Sequence, residues 1–381
     1  MTLRVLHAPH LVGGNPPSLA RAERALGVAS WCVALEEHPF GYACDEVLRR
    51  TGESRLRREY RRWKLFKRAL HDFDVLHFNS GQSILSWGAV LGNRERLTAF
   101  ERIALAVSPH LEYLDLPAFK RAGKVLAVTY QGDEARQGDF CTAHFALSIA
   151  HEVSPGYYSA WSDARKRERI AKFARYADLI YALNPDLLHV LPPHAKFLPY
   201  ANVDPAAWPC VPPRTDVRRA PVIVHAPSHR GVKGTEHLLA ALERLARDGV
   251  AFELRLVEGM TREEARRLYE DADLVVDQLL AGWYGGVAVE AMALGKPVVA
   301  YIRESDLRFI PDRMREALPV INATPGDIYD VLRRLLVARR DELAALGERG
   351  REYVERWHDP RKIAEGLIQD YAAALAAKRN T

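Results

Sequence analysis

Several features that mark particular protein classes are missing from this sequence of 381 residues. No stretch reaches the roughly 18 uncharged apolar residues that a transmembrane helix requires. The first ten residues, MTLRVLHAPH, hold too short an apolar run for a secretory signal, and Pro9 interrupts it. The four cysteines lie at least twelve residues apart, so there is no Cys-x-x-Cys metal or redox pair and free thiols are expected. These absences predict a cytoplasmic protein.

Common catalytic motifs are absent as well. The sequence has neither a Gly-x-Ser-x-Gly nucleophile elbow nor a Gly-x-Gly-x-x-Gly dinucleotide fingerprint. Segment 290–297 ends much like a phosphate-binding loop, but Glu290 replaces its first glycine and Pro297 replaces its Ser or Thr. His7 and His10 are close in sequence, which alone is weak evidence for a metal ligand pair. We therefore predict no metal site.

The positive charge of the chain is concentrated in one segment. The formal net charge is +5, yet residues 49–68 contain ten Lys and Arg against two Glu. This local excess predicts one basic face and argues against a general nucleic-acid binder. If a helix begins at about Ser54, its spacing places these apolar residues near one side: Leu56, Tyr60, Trp63 and Phe66. Aromatic residues between cations suit an anionic membrane surface, and packing against a sheet is the alternative.

Short apolar strands alternate with amphipathic helices, which predicts an α/β fold with parallel sheets. The chain is longer than the roughly 250–300 residues at which a single core stops growing. The predicted strands are 3–7, 74–78, 124–130 and 178–183 in the first half and 221–225, 251–257, 272–279 and 297–302 in the second. Residues 203–221 contain five prolines and break the periodicity, so we expect two Rossmann-like domains joined there.

The most informative stretch is 277–300, with the sequence DQLLAGWYGGVAVEAMALGKPVVA. A strand is expected to end near Leu280, and a helix to begin at about Gly286 after a glycine-rich turn. Unpaired N–H groups at the start of a helix bind anions, and glycine permits close approach. Glu290 follows, where a carboxylate accepts hydrogen bonds from a ribose diol. The alternative is that Glu290 only favours the helix dipole.

A second strand-to-helix turn, VIVHAPSHRGVKGT at 222–235, carries Arg230 and Lys233 just before a helix. Two cations beside a helix N-terminus suit a diphosphate, and a solvated basic loop is the alternative. Both turns are expected at the carboxyl ends of parallel strands of one sheet, where α/β folds bind ligands. This coincidence favours a ligand-binding role for both turns.

With these two turns, the chain resembles the retaining glycosyltransferases of the GT-B fold, in glycosyltransferase family four. The motif of their second domain reads Glu-Gly-Phe-Gly-x-x-x-x-Glu-Ala-Met-Ala-x-Gly-x-Pro-Val-Val, and residues 282–299 read GWYGGVAVEAMALGKPVV. Further matches are Gly13-Gly14 after the first strand, residues 74–77 (DVLH) and residues 200–204 (YANVD). The resemblance covers nearly the whole chain.

The resemblance implies two Rossmann-like domains that face each other across a cleft. Residues 1–204 would form the N-terminal acceptor domain, 205–220 a linker and 221–358 the nucleotide-sugar donor domain. Residues 359–381 would form a helix that crosses back to the first domain.

The resemblance also implies a UDP- or GDP-sugar donor, with no cofactor and no metal. Glu290 would hold the ribose, Arg230 and Lys233 would hold the diphosphate, and Gly259 with Met260 would flank the base. The full set of implied donor-binding residues is Gly13, Gly14, Arg230, Lys233, Gly259, Met260, Trp283, Gly285, Gly286, Val287 and Glu290.

Two positions depart from the family pattern. The first glutamate of the motif, which contacts the transferred sugar in the family, is replaced by Gly282, and a first-domain histidine is replaced by Gln131. Glutamine can bind a sugar hydroxyl but cannot shuttle a proton, so Asp133 or Glu134 is a candidate to compensate. Gln131 and Asp133 are therefore the predicted catalytic residues.

Four further side chains are candidates with open alternatives. Trp283 and Tyr284 either shape the sugar pocket or pack in the core. His77 and Asn79 end a first-domain strand and are acceptor-side candidates, although His77 could be a core histidine with satisfied hydrogen bonds.

The leading hypothesis is a retaining glycosyltransferase that uses a glycan, glycolipid or similar acceptor. It would be cytoplasmic or peripheral on the cytoplasmic membrane face, and it would not bind nucleic acid. The alternatives are a catalytically silent subunit that binds nucleotide-sugar or a partner glycosyltransferase, and another GT-B enzyme of the phosphorylase or epimerase type.

Overall fold

The computed structural model describes residues 2–86, 112–214, 216 and 219–379, apart from the side chain of Arg55. Positions 215, 217 and 218 of the predicted linker and the last two residues of the predicted final helix lie outside the described residues. The chain forms two compact units. Unit 1 comprises Met1–Ala143, Pro155–Ala201 and Pro360–Thr381, and unit 2 comprises His144–Ser154 and Asn202–Asp359.

Strands and helices alternate along the chain, as the hydrophobic pattern predicts. The described strands of unit 1 are β1 (Arg4–Ala8), β2 (Ala29–Glu36), β3 (Glu46–Arg49), β4 (Val75–Asn79), β5 (Val125–Tyr130), β6 (Leu179–Ala182) and β7 (Lys196–Phe197). The described strands of unit 2 are β8 (Val222–His225), β9 (Glu253–Leu256), β10 (Leu274–Val276), β11 (Val298–Ala300) and β12 (Ile321–Asn322).

The described helices flank these strands. They are α1 (Asn15–Ala25), α2 (Arg55–Asp72), α3 (Asp115–Arg121), α4 (Gly138–His144), α5 (Ile149–Glu152), α6 (Ala160–Ala174), α7 (Arg230–Lys233), α8 (Thr235–Arg247), α9 (Arg262–Glu270), α10 (Gly286–Ala293), α11 (Asp312–Glu316), α12 (Ile328–Arg333), α13 (Leu343–Trp357) and α14 (Pro360–Arg379). Within the described part of the chain, no helix is long and apolar enough to cross a membrane.

Each unit is built on one parallel sheet. The order is β3-β2-β1-β4-β5-β6-β7 in unit 1 and β12-β11-β10-β8-β9 in unit 2, and every pairing of these strands is parallel. Strands such as β5 and β8 are buried along their whole length because helices cover both faces, which explains their continuous apolar sequences. The eight predicted strands are present, whereas the prediction missed β2, β3, β7 and β12.

The missed strands have a physical explanation in their position. β3, β7, and β12 lie at sheet edges and are only two to four residues long. β2 exposes Ala29 and Trp31 to solvent at its start, so it lacks a continuous apolar run. Sequence patterns indicate buried central strands much better than short or half-exposed ones.

The final helix α14 belongs to unit 1 and packs against its sheet, as the resemblance implies. Its Tyr371 is fully buried, and the hydroxyl lies 2.5 Å from Nδ1 of His77 on β4. Asp370 accepts a 2.6 Å hydrogen bond from the hydroxyl of Tyr181 on β6. These contacts place the last twenty or so residues in the same compact unit as the first sheet.

Residues 144–154 belong to unit 2, although their place in the sequence assigns them to the first domain. The guanidinium of Arg303 lies 3.7 Å from the centre of the Phe145 ring and donates a 2.9 Å hydrogen bond to the carbonyl of Leu147. Glu152 pairs with His237 on α8 at 3.1 Å. These partners are distant in sequence, so no local pattern could reveal the assignment.

Candidate donor-binding site

The turn between β10 and α10 presents the start of a helix with no side-chain cap. Gly285, the N-cap residue of α10, has an extended conformation and no side chain with which to cap this end. Helix geometry therefore leaves the N–H groups of Gly286 and Val287 without an intrahelical partner. Unpaired N–H groups and the positive end of the helix dipole together favour an anion at this turn.

Lys233 on α7 lies beside the same turn. Its Nζ donates hydrogen bonds to Asp277 Oδ1 at 2.8 Å and to Gln278 Oε1 at 2.9 Å, and all three residues are buried. The other oxygen of Asp277 accepts a 2.5 Å hydrogen bond from the N–H of Gly285. A Cβ atom at Gly285 would lie only 3.1 Å from Lys233 Nζ, so glycine permits this approach. The two strand-to-helix turns that the sequence singles out thus meet.

Glu290 is buried on α10 and is held by a cation from another helix. Arg262 Nε donates to Glu290 Oε1 at 2.7 Å, and Arg262 Nη2 donates to the carbonyl of Asn202 at 2.6 Å. Asn202 in turn donates to the carbonyl of Gly286 at 3.2 Å. Burial raises the pKa of Glu290 above its ordinary value, although Arg262 and Asn202 act in the opposite direction.

Sequence analysis missed Arg262 and Asn202 as members of this site. Arg262 follows Thr261, whose predicted capping box with Glu264 is present, and this pattern indicates only the start of a helix. Asn202 lies in the segment YANVD at 200–204, whose only signal is its match to the family pattern. Neither signal indicates a contact with Glu290, because both partners are distant in sequence.

Arg230 is exposed and engaged in an ion pair. It lies on α7 with Lys233, and its side chain is 47% exposed. Its Nε and Nη2 donate to the two oxygens of Glu258 at 2.9 Å each. Glu258 directly precedes Gly259 and Met260, the predicted base-flanking residues, and Gly259 has a left-handed φ of 66° with open space around it. Any phosphate bound by Arg230 has to compete with Glu258.

Gly282 departs from the family motif for a structural reason. Its φ of 79° is left-handed, and a Cβ atom there would lie 2.6 Å from Nη1 of Arg303. Arg303 is buried and donates a 2.8 Å hydrogen bond to Asp306. The guanidinium of Arg303 thus occupies the space that a side chain at position 282 would need.

Trp283 and Tyr284 are both fully buried. Their ring centres lie 4.3 Å apart, and the Tyr284 hydroxyl lies 2.8 Å from His358 Nε2 and 3.1 Å from the Tyr353 hydroxyl on α13. Both rings therefore pack in the core. The sugar-pocket role of Trp283 stays a prediction.

In unit 1, the predicted glycine loop begins five residues after the end of β1. Gly13 and Gly14 have left-handed φ angles of 63° and 73°. A Cβ atom at Gly14 would lie 2.9 Å from the ring of Tyr42, so a larger residue could not fit without moving this ring. The loop lies at the carboxyl end of a parallel strand, the position expected for a ligand-binding turn.

The predicted catalytic residues lie at the carboxyl end of β5. Gln131 Nε2 lies 3.4 Å from Asn79 Oδ1. Asp133 accepts hydrogen bonds from Tyr157 at 2.5 Å, Tyr158 at 2.7 Å and Arg136 at 2.7 Å. Burial raises the pKa of Asp133, but Arg136 and the two hydroxyls outweigh this effect and bring the pKa below its ordinary value. An anion held by three donors is a weak base, so this geometry disfavours proton abstraction by Asp133.

Glu134 is the other carboxylate considered for that role. One of its oxygens accepts a hydrogen bond from the backbone N–H of Gln131. Burial raises the pKa of Glu134 above its ordinary value. Glu134 thus holds the turn that follows β5.

The acceptor-side assignment of His77 is wrong. The ring is fully buried, with Nδ1 at 2.5 Å from the Tyr371 hydroxyl and Nε2 at 2.7 Å from the Thr129 hydroxyl. Burial lowers the pKa of His77 well below its ordinary value, and His7 lowers it further. Both ring nitrogens have buried partners, Thr129 on β5 and Tyr371 on α14, so His77 is a core histidine. Asn79 lies one position beyond Phe78 at the end of β4 and stays an acceptor-side prediction.

Comparisons with known proteins agree with this architecture. No family model matches the sequence. Among curated proteins, D-inositol 3-phosphate glycosyltransferase from Saccharomonospora viridis is 32% identical over 166 residues. The aligned part is 43% of this chain and 37% of that relative, so well under half of the relative's length is matched.

Solved structures match over nearly the whole chain. Sucrose-phosphate synthase from Thermosynechococcus elongatus gives a TM-score of 0.62 at 16% identity, covering 99% of this chain and 100% of that one. HepE from Anabaena, in complex with UDP-glucose, gives 0.61 at 13% identity, with 98% and 100% covered. An α-glucosyltransferase in complex with UDP and DNA gives 0.56 at 11% identity, covering 98% of this chain and 100% of that one. The expected GT-B fold is therefore confirmed.

Proposed function

We propose that this protein is a glycosyltransferase that moves a sugar from a UDP- or GDP-sugar to a glycan, glycolipid or other acceptor with retention of configuration. The observation that carries the proposal is the assembly in unit 2 of an uncapped helix start, a buried lysine and a buried glutamate. Lys233 and the turn at Gly285 would bind the diphosphate, and Glu290 would bind the ribose. The name of the curated relative supports glycosyl transfer, and the UDP-glucose complex of HepE supports this class of donor.

The diphosphate would be the leaving group, and unit 2 has the means to stabilise its charge. An ammonium group has three N–H donors, and Asp277 and Gln278 account for two of those of Lys233. The third, together with the N–H groups of Gly286 and Val287, would bind the phosphate oxygens. Such fixed donors stabilise charge that develops as the bond to the diphosphate breaks.

Glu290 would recognise the ribose as a fixed acceptor. Arg262 occupies one side of its oxygen Oε1, and a carboxylate has about four lone-pair sites. The remaining sites suffice for the two hydroxyls of a ribose. Because Arg262 neutralises the charge of Glu290, the carboxylate can lie close to a diphosphate without strong repulsion.

Transfer with retention would proceed on one face of the sugar. The bond between the anomeric carbon and the diphosphate breaks, the acceptor oxygen bonds to that carbon, and the acceptor proton passes to the departing diphosphate oxygen. This route needs no protein base, in keeping with the fully engaged Asp133. We propose cations of the chain in place of a metal, so a chelator should leave the rate unchanged.

The proposal is tested by binding and then by turnover. UDP, GDP and their sugar conjugates are compared for the rise in melting temperature that follows from binding to the folded state. The best donor, radiolabelled in its sugar, is incubated with candidate acceptors, and the anomeric configuration of the product is read by NMR. No melting shift with any conjugate would reject a donor site, and an inverted product would reject retention. Binding without release of nucleotide would support the silent-subunit alternative, which the comparisons do not favour.

The Glu290→Gln variant should weaken donor use without unfolding the protein. Loss of a charged acceptor costs about 1.5–3 kcal/mol, so kcat/KM for the donor should fall roughly 10- to 100-fold. The Arg262 side chain left behind is partly exposed, so water can solvate it and the melting temperature should change little. Glu263→Gln removes the same charge from the exposed face of α9 and should leave kcat/KM unchanged. A large fall in melting temperature with intact donor affinity would identify Glu290 as a structural residue instead.

A further inference from the structure

Helix α2 presents apolar side chains on two faces, and only one face is buried. Leu65 and Ala69 lie in the core of unit 1, and Phe66 packs against that core. Leu56, Tyr60 and Trp63 are 81%, 73% and 51% exposed, so of the four apolar residues only Phe66 packs directly on the core, and the half-exposed Trp63 ring contacts Phe66 edge-on at 5.7 Å between ring centres. We refer to Leu56, Tyr60 and Trp63 as the α2 stripe.

The α2 stripe is continuous and directed to solvent. At about 100° per residue, its three side chains lie within an arc of about 60°. Leu56 and Tyr60 are the two most exposed large hydrophobic residues of the described chain. Single exposed apolar residues are normal on soluble proteins, but three in register on one helix mark an interaction surface.

Fewer positive charges around the stripe are unpaired than the composition of the segment indicates. Arg58 pairs with Glu36, Arg61 with Glu53 and Arg68 with Glu46. These ion pairs fasten α2 to its own unit and reduce the excess charge.

Two lysines remain to give the stripe a positive border. Lys64 and Lys67 are exposed, and within the described part of the chain neither makes an ion pair. By helical geometry Lys67 continues the line of the stripe by one turn, and Lys64 flanks it. Arg57, on the same flank as Lys64, is 61% exposed despite its pair with Glu53.

We propose that the α2 stripe docks this protein on an anionic lipid surface. A helix that carries Trp, Tyr and Leu on one line and lysines beside it matches the chemistry of a membrane interface, where aromatic rings enter the headgroup region and cations bind lipid phosphates. A protein partner with an apolar groove would not require the lysines. The surface is separate from the donor site, which lies in unit 2, so the two proposals stand or fall independently.

Sedimentation with vesicles tests the docking surface on the full chain. The protein is spun with vesicles of phosphatidylcholine, with and without phosphatidylglycerol, at low and high salt. We expect binding to the anionic vesicles at low salt, and release at high salt because screening weakens exposed charge interactions. Wild-type protein that stays in the supernatant with anionic vesicles at low salt would overturn the proposal.

Two sets of variants separate the apolar from the ionic contribution. Leu56→Gln, Tyr60→Gln and Trp63→Gln combined should lower the vesicle partition coefficient by at least about tenfold, because the inserted apolar area is lost. Trp31→Gln, on an exposed strand residue of the same unit, is the matched control and should bind like the wild type. Equal loss in this control would refute the assignment to the stripe.

Charge reversal completes the test. Lys64→Glu with Lys67→Glu should lower the partition coefficient by at least about tenfold on anionic vesicles. The control, Arg121→Glu with Arg247→Glu, changes the net charge by the same amount elsewhere and should retain most binding. If both double variants lose binding equally, net charge and not the α2 stripe is responsible.

Self-association is the competing outcome. In that case, sedimentation velocity without lipid would show a concentration-dependent dimer that the stripe variant abolishes. This result, together with absent vesicle binding, would mean that the α2 stripe binds a second copy of the chain and not a lipid surface. Donor-induced melting shifts are measured on every variant and should match the wild type, because none of these residues belongs to the donor site.

Discussion

Replacing Lys233 by methionine should reduce the affinity for a nucleoside diphosphate by roughly 10- to 100-fold. A charge-assisted hydrogen bond is worth about 1.5–3 kcal/mol, and Lys233 is a buried cation beside the uncapped start of α10. Isothermal titration with UDP and GDP measures the effect. Unchanged affinity would remove Lys233 from the proposed site.

The Lys233→Met variant should also lower the stability of the fold, so the experiment needs a second variant. Removal of Lys233 leaves Asp277 buried without its cation, which costs about 3–5 kcal/mol when one member of a buried pair is deleted. The double variant Lys233→Met, Asp277→Asn removes the unpaired charge and should recover much of the melting temperature. Its affinity for diphosphate should stay low. Recovery of affinity together with stability would show that Lys233 only supports the fold.

Arg230→Ala provides a graded comparison. Its guanidinium is half exposed and shared with Glu258, so water screens its contact with a phosphate. We therefore expect a smaller loss of affinity than for Lys233→Met. A larger loss would mean that Arg230 leaves Glu258 and becomes the principal phosphate ligand.

Gly282→Ala and Gly282→Glu should both destabilise the protein strongly. A residue with a side chain costs about 1–2 kcal/mol in the left-handed conformation. The new Cβ would also displace the buried guanidinium of Arg303 from Asp306. Breaking that pair adds about 3–5 kcal/mol, so the melting temperature should fall by roughly 10 °C or more. Thermal unfolding followed by circular dichroism measures the fall.

Gly249→Ala isolates the contribution of the backbone. Gly249 has a similar φ of 76°, but a Cβ there would have nothing within 4 Å. Only the conformational cost of about 1–2 kcal/mol should remain. If Gly282→Ala melts at the same temperature as Gly249→Ala, Arg303 yields easily and the glutamate of the family motif could be restored. Such a result would reopen the question of donor preference at this position.

The local sequence was sufficient for the fold and led to the proposed location of the donor site. Apolar runs predicted the central strands, because parallel strands covered on both faces admit little polar sequence. Residues 282–299 and the turn at 222–235 indicated the proposed site, since the carboxyl ends of neighbouring strands share one edge of a sheet. The proline-rich stretch 203–221, where we expect the two domains to join, begins next to Asn202, at which the longer segment of unit 2 starts.

Contacts between distant segments decided the remainder. In α2, both the pair Leu65 and Ala69 and the α2 stripe have the spacing of an apolar helix face. Only packing against the sheet determines which of these two faces is buried. The sequence around His77 is compatible with a binding residue. The fold excludes that role because Tyr371, from the other end of the chain, forms a hydrogen bond with its Nδ1. The partners of Glu290 and Lys233, and the place of residues 144–154, depend on neighbours that are absent from any local window. Sequence periodicity reports which faces of an element are apolar, whereas burial and charge pairing follow from what the folded chain brings against each face.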